Sequence, residues 1–351
     1  MESPFGPVGR LVVGAAGVLA ASALLAPAPN AAAAPQRPTA QLVNGTLLVT
    51  GTSGSDEITV DYTGTDDVAL DLGRKAALRT YERSLVDRVV VRLGRGDDVF
   101  TTVSGIAPAV DLPMRIRAGA GNDEVLAGNK SDIIVGAGGD DSLLGGAGLD
   151  LLHGGGGNDF VNGNAGTDIE QLGAGNDTAA WVPGEGNDTI LGARGRDTLA
   201  FTGSAGDEAF SVAASGDAAV LLRSLGSIRM DLHSLERVEI QALGGADTVT
   251  VNDLSGTGLT AVDVDLAVPE GQGDGAADAL TINGTGAADV VDVDATDGSV
   301  AVSGLPTSMT ITGEEVNDSL QINTLGGDDT VSVTDAASAL LVIGVDLGAD
   351  D

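Results

Sequence analysis

The chain has 351 residues, with 17 Lys and Arg against 51 Asp and Glu, a formal net charge of −34 and a sequence pI near 4.1. That balance argues against a nucleic-acid partner, because phosphate binding needs a basic surface that releases counterions, and against anionic membrane surfaces. Aromatic residues make up 2%, too few for a large conventional core, yet 42% hydrophobic residues is too apolar for simple disorder. Of the acids 39 are Asp and 12 are Glu, beside 53 Gly and no Cys. Acidity that served solubility alone could use either acid, so the excess of Asp points to short carboxylate arms at defined backbone positions.

At the N-terminus, Leu11 to Ala26 form an apolar run preceded by Arg10 and followed by the small-residue stretch Ala28 to Ala34. This pattern predicts a secretory signal peptide over residues 1–34, cleaved near Ala33 or Ala34, and so a secreted, extracellular protein. The run is shorter than the ~18–20 residues a membrane span needs, and no later stretch is long enough. An exported chain without Cys needs a staple other than disulfides.

Residues 35–117 read as an N-terminal β-module. From Ala118 a nine-residue period follows: AGAGNDEVL (118–126), AGNKSDIIV (127–135), GAGGDDSLL (136–144), GGAGLDLLH (145–153), GGGGNDFVN (154–162), GNAGTDIEQ (163–171) and LGAGNDTAA (172–180). After Trp181-Val182 come PGEGNDTIL (183–191) and GARGRDTLA (192–200). The sixth position is Asp123, Asp132, Asp141, Asp150, Asp159, Asp168, Asp177, Asp188 or Asp197.

Gly at positions one, two and four allows positive φ, so the chain can bend sharply and turn its carbonyls inward. Asp at position six adds a hard anionic oxygen, and carbonyls with carboxylates are the donors Ca2+ prefers. Positions seven to nine predict a short strand whose middle residue points inward: Val125, Ile134, Leu143, Leu152, Val161, Ile190 and Leu199. Two nonapeptides make one 18-residue coil, which stacks Asp123, Asp141, Asp159 and Asp177 in one column and Asp132, Asp150 and Asp168 in another. Carboxylates stacked ~4.8 Å apart repel by roughly 1 kcal/mol per pair in water and about 3.5 at an effective dielectric of 20. A divalent cation between coils reverses that sign, so the block is expected to fold on binding Ca2+.

The block resembles the GGxGxDxUx nonapeptide of the RTX, or haemolysin-type, calcium-binding repeat. That resemblance implies a parallel β-roll with Ca2+ in the turns between coils. Carried over residue by residue, the nine Asp would be side-chain ligands, with turn carbonyls around Gly119, Gly136, Gly145, Gly154 and Gly155. Columns of four and three Asp leave about five ions between coils. Asp188 and Asp197 follow the insertion, which breaks the register. Lys130 stands where the pattern has Gly and is expected to weaken its turn. Glu170 falls at an inward position, so either the strand shifts to turn Ile169 inward or Glu170 meets a cation. Ala179 predicts a thin core, with Trp181 covering an apolar edge.

Residues 201–351 read as two further acidic β-modules. GTSGSDEITV (51–60), TGSAGDEAFSV (202–212) and GTGAADVVDV (285–294) each lead, 37 or 38 residues after Asp56, Asp207 and Asp289, to Gly94, Gly244 and Gly326. Alternating runs such as Ser299 to Ser303 and Leu320 to Asn323 predict strands. Asp97-Asp98 and Asp328-Asp329 are either further Ca2+ ligands or solvated turn residues. Val345 to Asp351 repeats the start of an earlier copy and stops within it, so the last module reads as truncated.

His153 and His233 are isolated, and neither an HExxH helix nor a GxSxG elbow occurs. The fold class expected is all-β, a parallel β-roll or β-solenoid of nonapeptides flanked by degenerate β-strand modules. The function expected is a secreted, non-enzymatic, Ca2+-binding structural or adhesion component, with a cell-surface or matrix polysaccharide or protein as its unidentified partner. The alternative is the repeat portion of, or a β-helical homologue to, an extracellular polysaccharide-acting enzyme or toxin. The charge divides as −1 over residues 35–117, −10 over 118–200 and −23 over 202–351.

Overall fold

The computed structural model describes residues 37–348 apart from 64–66, 74–77, 103–110 and 269–272. Residues 1–36, which hold the expected signal peptide, and the last three residues lie outside them. Within the block the nonapeptides contribute strands to two sheets in alternation, and Ala147–Gly148 pairs with Ala165–Gly166 in a short third ladder. One sheet takes Met114–Ala120, Ile133–Gly138, Leu151–Gly156, Ile169–Ala174 and Thr189–Arg194. The other takes Glu124–Leu126, Ser142–Leu144, Phe160–Asn162, Thr178–Trp181 and Thr198–Ser204. All these neighbours pair in parallel, as a coil that repeats along its axis requires.

The register aligns Ile134, Leu152, Glu170 and Ile190 in one sheet and Val125, Leu143, Val161, Ala179 and Leu199 in the other. All nine side chains are buried between the sheets. Period-2 alternation gives each short strand one inward residue, so the core is thin and aliphatic. It thickens beside Ala179. Trp181 is fully buried and stacks on Phe201 at a centroid separation of 4.3 Å, and Phe210 meets Phe201 edge-on at 6.2 Å. The Trp181 indole N–H donates to the Gly186 carbonyl at 2.8 Å, and the Arg223 guanidinium lies 5.2 Å from its ring. Trp181 therefore fills the core rather than covering an edge, because it falls two residues after Ala179 on the same inward face.

The flanking modules continue both sheets, and residues 35–351 form one compact unit. In each module a three-stranded antiparallel meander joins the ladder: Glu57–Thr63 with Asp67–Asp71 and Arg79–Glu82, Ala209–Ser215 with Ala218–Arg223 and Ile228–His233, and Val290–Thr296 with Ser299–Ser303 and Ser308–Thr312. The second and third meanders lie within the sheets, with parallel pairing resuming beyond them, whereas the first ends its sheet at Arg79–Glu82. Among the described residues no helix is long and apolar enough to cross a membrane.

Candidate metal centre

The Asp columns are ladders of hydrogen bonds. The N–H of Asp123 donates to Asp141 Oδ1, that of Asp141 to Asp159, and that of Asp159 to Asp177, at 2.8–2.9 Å. On the opposite edge Asp132 donates to Asp150 and Asp150 to Asp168, both at 2.7 Å. The fifth position runs the other way: Asp140 N–H donates back to Asn122 Oδ1, Asn158 to Asp140 and Asn176 to Asn158. Adjacent residues of one turn thus bind the coils on either side of it.

Both columns are longer than the sequence reading placed them. Asp168 donates to Asp188 Oδ1 at 2.8 Å and Asp177 to Asp197 at 3.1 Å, so the two-residue insertion leaves both registers intact. It is absorbed in the loop before Gly186, where Glu185 Oε2 accepts from Val182 N–H. The first column also continues outward, from Asp56 to Asp98 to Asp123 on one side and from Asp197 to Glu236 on the other. Sequence reasoning missed Asp56 and Glu236 and left Asp98 undecided. The signal that finds Asp56 is a glycine five residues ahead of an acid, as in Gly51 and Asp56.

That glycine has a different role from the one its position suggested. Gly119 and Gly155 at position two, and Gly121, Gly139 and Gly157 at position four, have φ between 120° and 136°. Gly136, Gly145 and Gly154 at position one do not have positive φ. They are needed for space: a Cβ on Gly136 would come 2.3 Å from Asp141 Oδ2 and 2.6 Å from the Gly154 carbonyl. Gly145 is crowded in the same way by Asp150 Oδ2 and the Gly163 carbonyl, and Gly154 by Asp159 Oδ2 and the Leu172 carbonyl. At Gly119 and Gly155 the close atom is instead the carbonyl of Gly94 or Ala137 from the preceding coil.

One oxygen of each carboxylate serves the ladder, and the second is left over. Oδ2 of Asp98, Asp123, Asp141, Asp150, Asp159, Asp168, Asp177 and Asp197 is buried without a hydrogen-bond partner. Such atoms are costly unless something pairs with them. Asp132 and Asp188 are the exceptions: Asp132 Oδ2 accepts from Gly128 N–H at 3.0 Å, in the turn where Lys130 lacks the positive φ of Gly121, Gly139 and Gly157. Burial pushes the carboxyls of Asp98, Asp132, Asp141 and Asp188 up to about 7, Asp150 to about 8, and Asp168 and Asp197 to about 6. Backbone N–H donors pull each of them down, and neighbouring acids push all but Asp132 up again. Asp123, Asp159 and Asp177 are raised for the same first reason.

Glu170 keeps its inward register between Leu152 and Ile190, so the strand does not shift to turn Ile169 in. It is 1% exposed; Oε1 accepts from Gly163 N–H at 2.7 Å and Oε2 has no hydrogen-bond partner. Its carboxyl is held well above the usual range by burial, and by the charge of Asp188 after that.

Buried carboxylate oxygens beside backbone carbonyls are the donor set of a hard, oxygen-seeking cation, so these residues fit Ca2+. Among the described residues no three His, Cys, Asp or Glu side chains gather into one metal-holding group. Turn carbonyls and carboxylates of adjoining coils would have to share each shell. Residues 117–152, 135–170, 144–179 and 184–200 match the RTX calcium-binding nonapeptide repeat in four copies. No curated protein matches the chain.

Proposed function

With RTX calcium-binding nonapeptide repeats at residues 117–200 as the premise, we propose that this is an exported, non-catalytic protein whose solenoid is stapled by Ca2+ and folds when the ion is met outside the cell. The observation that carries this reading is the row of buried Asp Oδ2 atoms without hydrogen-bond partners, repeated at every coil of the block except the Lys130 turn and the Asp188 turn. Packed this way, like charges oppose the fold, and a divalent ion between coils makes them favour it. Asp123, Asp141, Asp159, Asp177 and Asp197 on one edge, and Asp150, Asp168 and Asp188 on the other, would supply the side-chain oxygens.

External calcium modules bind at about 10⁻⁴ to 10⁻³ M, weak enough to leave a chain unfolded in cytosol and tight enough to fold it outside. The resulting rod serves as a stiff surface or matrix element, with its acidic face open to a polysaccharide or protein partner through bridging Ca2+. Trp181 is the one Trp of the chain and is buried, so its emission reports folding. In EGTA the expected spectrum is red-shifted with weak β circular dichroism, and millimolar CaCl2 restores both. Spectra unchanged by Ca2+ would overturn the reading.

A further inference from the structure

Beyond residues 117–200 lies a third file of carboxylates, on a different spacing. Glu208 N–H donates to Asp247 Oδ1 at 2.8 Å, Asp247 to Asp278 at 2.8 Å and Asp278 to Asp318 at 2.9 Å. The steps are 39, 31 and 40 residues instead of 18, so no nonapeptide pattern reaches them. All four acids are buried. Further acids stand against the same turns: Asp274 Oδ2 accepts from Gly245 N–H at 2.6 Å and Glu315 Oε2 from Gly275 N–H at 2.7 Å.

The first acid of the file has a cation of its own. Glu208 is paired with Arg223, and both are buried. Among the described residues no Lys or Arg pairs with Asp247, Asp278 or Asp318, and residues 238–351 hold 21 acids and no Lys or Arg. Asp247 is 2% exposed, its Oδ2 has no hydrogen-bond partner, and it feels the like charges of Asp278, Glu208 and Asp274. A buried carboxylate oxygen with no donor, on an edge made of acids and turn backbone, has the same chemistry as the Asp columns of the block.

We propose that the turns carrying Asp247 and Asp278 form a second set of divalent-cation sites that take Ca2+, with the Glu208–Arg223 pair closing the file at its inner end and Asp318, whose Oδ2 already accepts from Glu315 N–H at 2.6 Å, at its outer end. The assignment rests on the calcium reading of the block. The coils beyond residue 200 are then calcium-bearing coils whose period is hidden by the meanders before Asp247 and after Asp278 and by the long connection between those two residues.

The test is calorimetric titration of the full chain with CaCl2, comparing wild type with Asp247→Asn/Asp278→Asn and with Asp141→Asn/Asp159→Asn. Asn keeps the Oδ1 acceptor and removes the charge. Each double variant is expected to bind at least one ion fewer than wild type. If the Asp247/Asp278 variant matches wild type while the Asp141/Asp159 variant binds fewer, the proposal falls and the reading of the block stands. If wild type binds no Ca2+, both fall. Hydrogen exchange on the wild-type chain guards against a variant that fails to fold: Ca2+ is expected to slow exchange at residues 247–251 and 278–283. Protection confined to 118–200 would overturn the proposal.

Discussion

The backbone N–H of Asp141 donates to Oδ1 of Asp159, 2.9 Å away and one coil further along the axis. The bond divides the labour of the Asp159 carboxylate, with Oδ1 holding the coils together and Oδ2 left for a cation. The two roles separate by substitution. Asp159→Asn keeps the ladder bond and is expected to weaken Ca2+ binding about tenfold or more, roughly 1.4 kcal/mol. Asp159→Ala also strands the buried Asp141 N–H, at a further cost of about 1–3 kcal/mol in stability. Titration and thermal melts of the two variants check this; equal stability of both at saturating Ca2+ would contradict the division.

Position one also holds Ala118, Ala127, Leu172 and Pro183, but at Gly136, Gly145 and Gly154 glycine is required by contact and not by backbone conformation. Gly136→Ala is expected to destabilise the Ca2+-loaded fold by about 1–3 kcal/mol, since its Cβ would lie 2.3 Å from Asp141 Oδ2. Gly138→Ala is the control: its nearest atom is 4.0 Å away, its φ is not positive, and it is expected to change stability by less than about 0.5 kcal/mol. Similar melting temperatures for the two variants would count against the contact argument.

The pH dependence of the calcium-free chain follows from carboxyls raised by burial above the ordinary aspartate range. Such groups hold protons more tightly folded than unfolded, so their contribution to stability is fully present below about 4 and is lost as pH rises through the folded values of about 6 to 8. In EGTA the residual β circular dichroism is expected to weaken as pH rises from about 5 to about 8. In excess Ca2+ the trend reverses, because the ion competes with protons for the same oxygens. A β signal in EGTA that grows with pH over this range would refute the assignment.

Glu170 is a buried acid within an otherwise aliphatic register. Glu170→Gln keeps an acceptor for the Gly163 N–H and removes the charge, so the variant is expected to be more stable at pH 8 by on the order of 1–3 kcal/mol. Thermal denaturation at pH 8 measures it. A loss of stability that appears only in Ca2+ would instead mean that Glu170 is itself a ligand.

The block was readable because one residue type at one spacing does two jobs. Asp at every ninth residue marks the coil edge, and Val, Ile or Leu two residues later marks its core, so columns, strands and inward residues followed from counting. What counting could not reach was geometry made by residues outside the count. The long connection between Asp247 and Asp278 and the meander between Asp278 and Asp318 remove the fixed interval, which hid the alignment of these three residues. Trp181 looked like part of an insertion, but only the pairing of Trp181 with Phe201 shows that the inward face continues past Ala179. The crowding of Gly136 by Asp141 is likewise a distance, and a glycine in a turn reads first as a sign of unusual φ.

The 18-residue register has a consequence for the length of the rod. From Asp123 to Asp177 the Asp ladder bonds repeat at an 18-residue step, so along these columns the block has translational symmetry, as a crystal lattice has along one axis. Removing residues 136–153 would bring Asp123 against Asp159 and Asp132 against Asp168 in the alignment those residues already use. Whole coils can therefore be gained or lost as units, and the molecule behaves as a ruler graduated in steps of one coil.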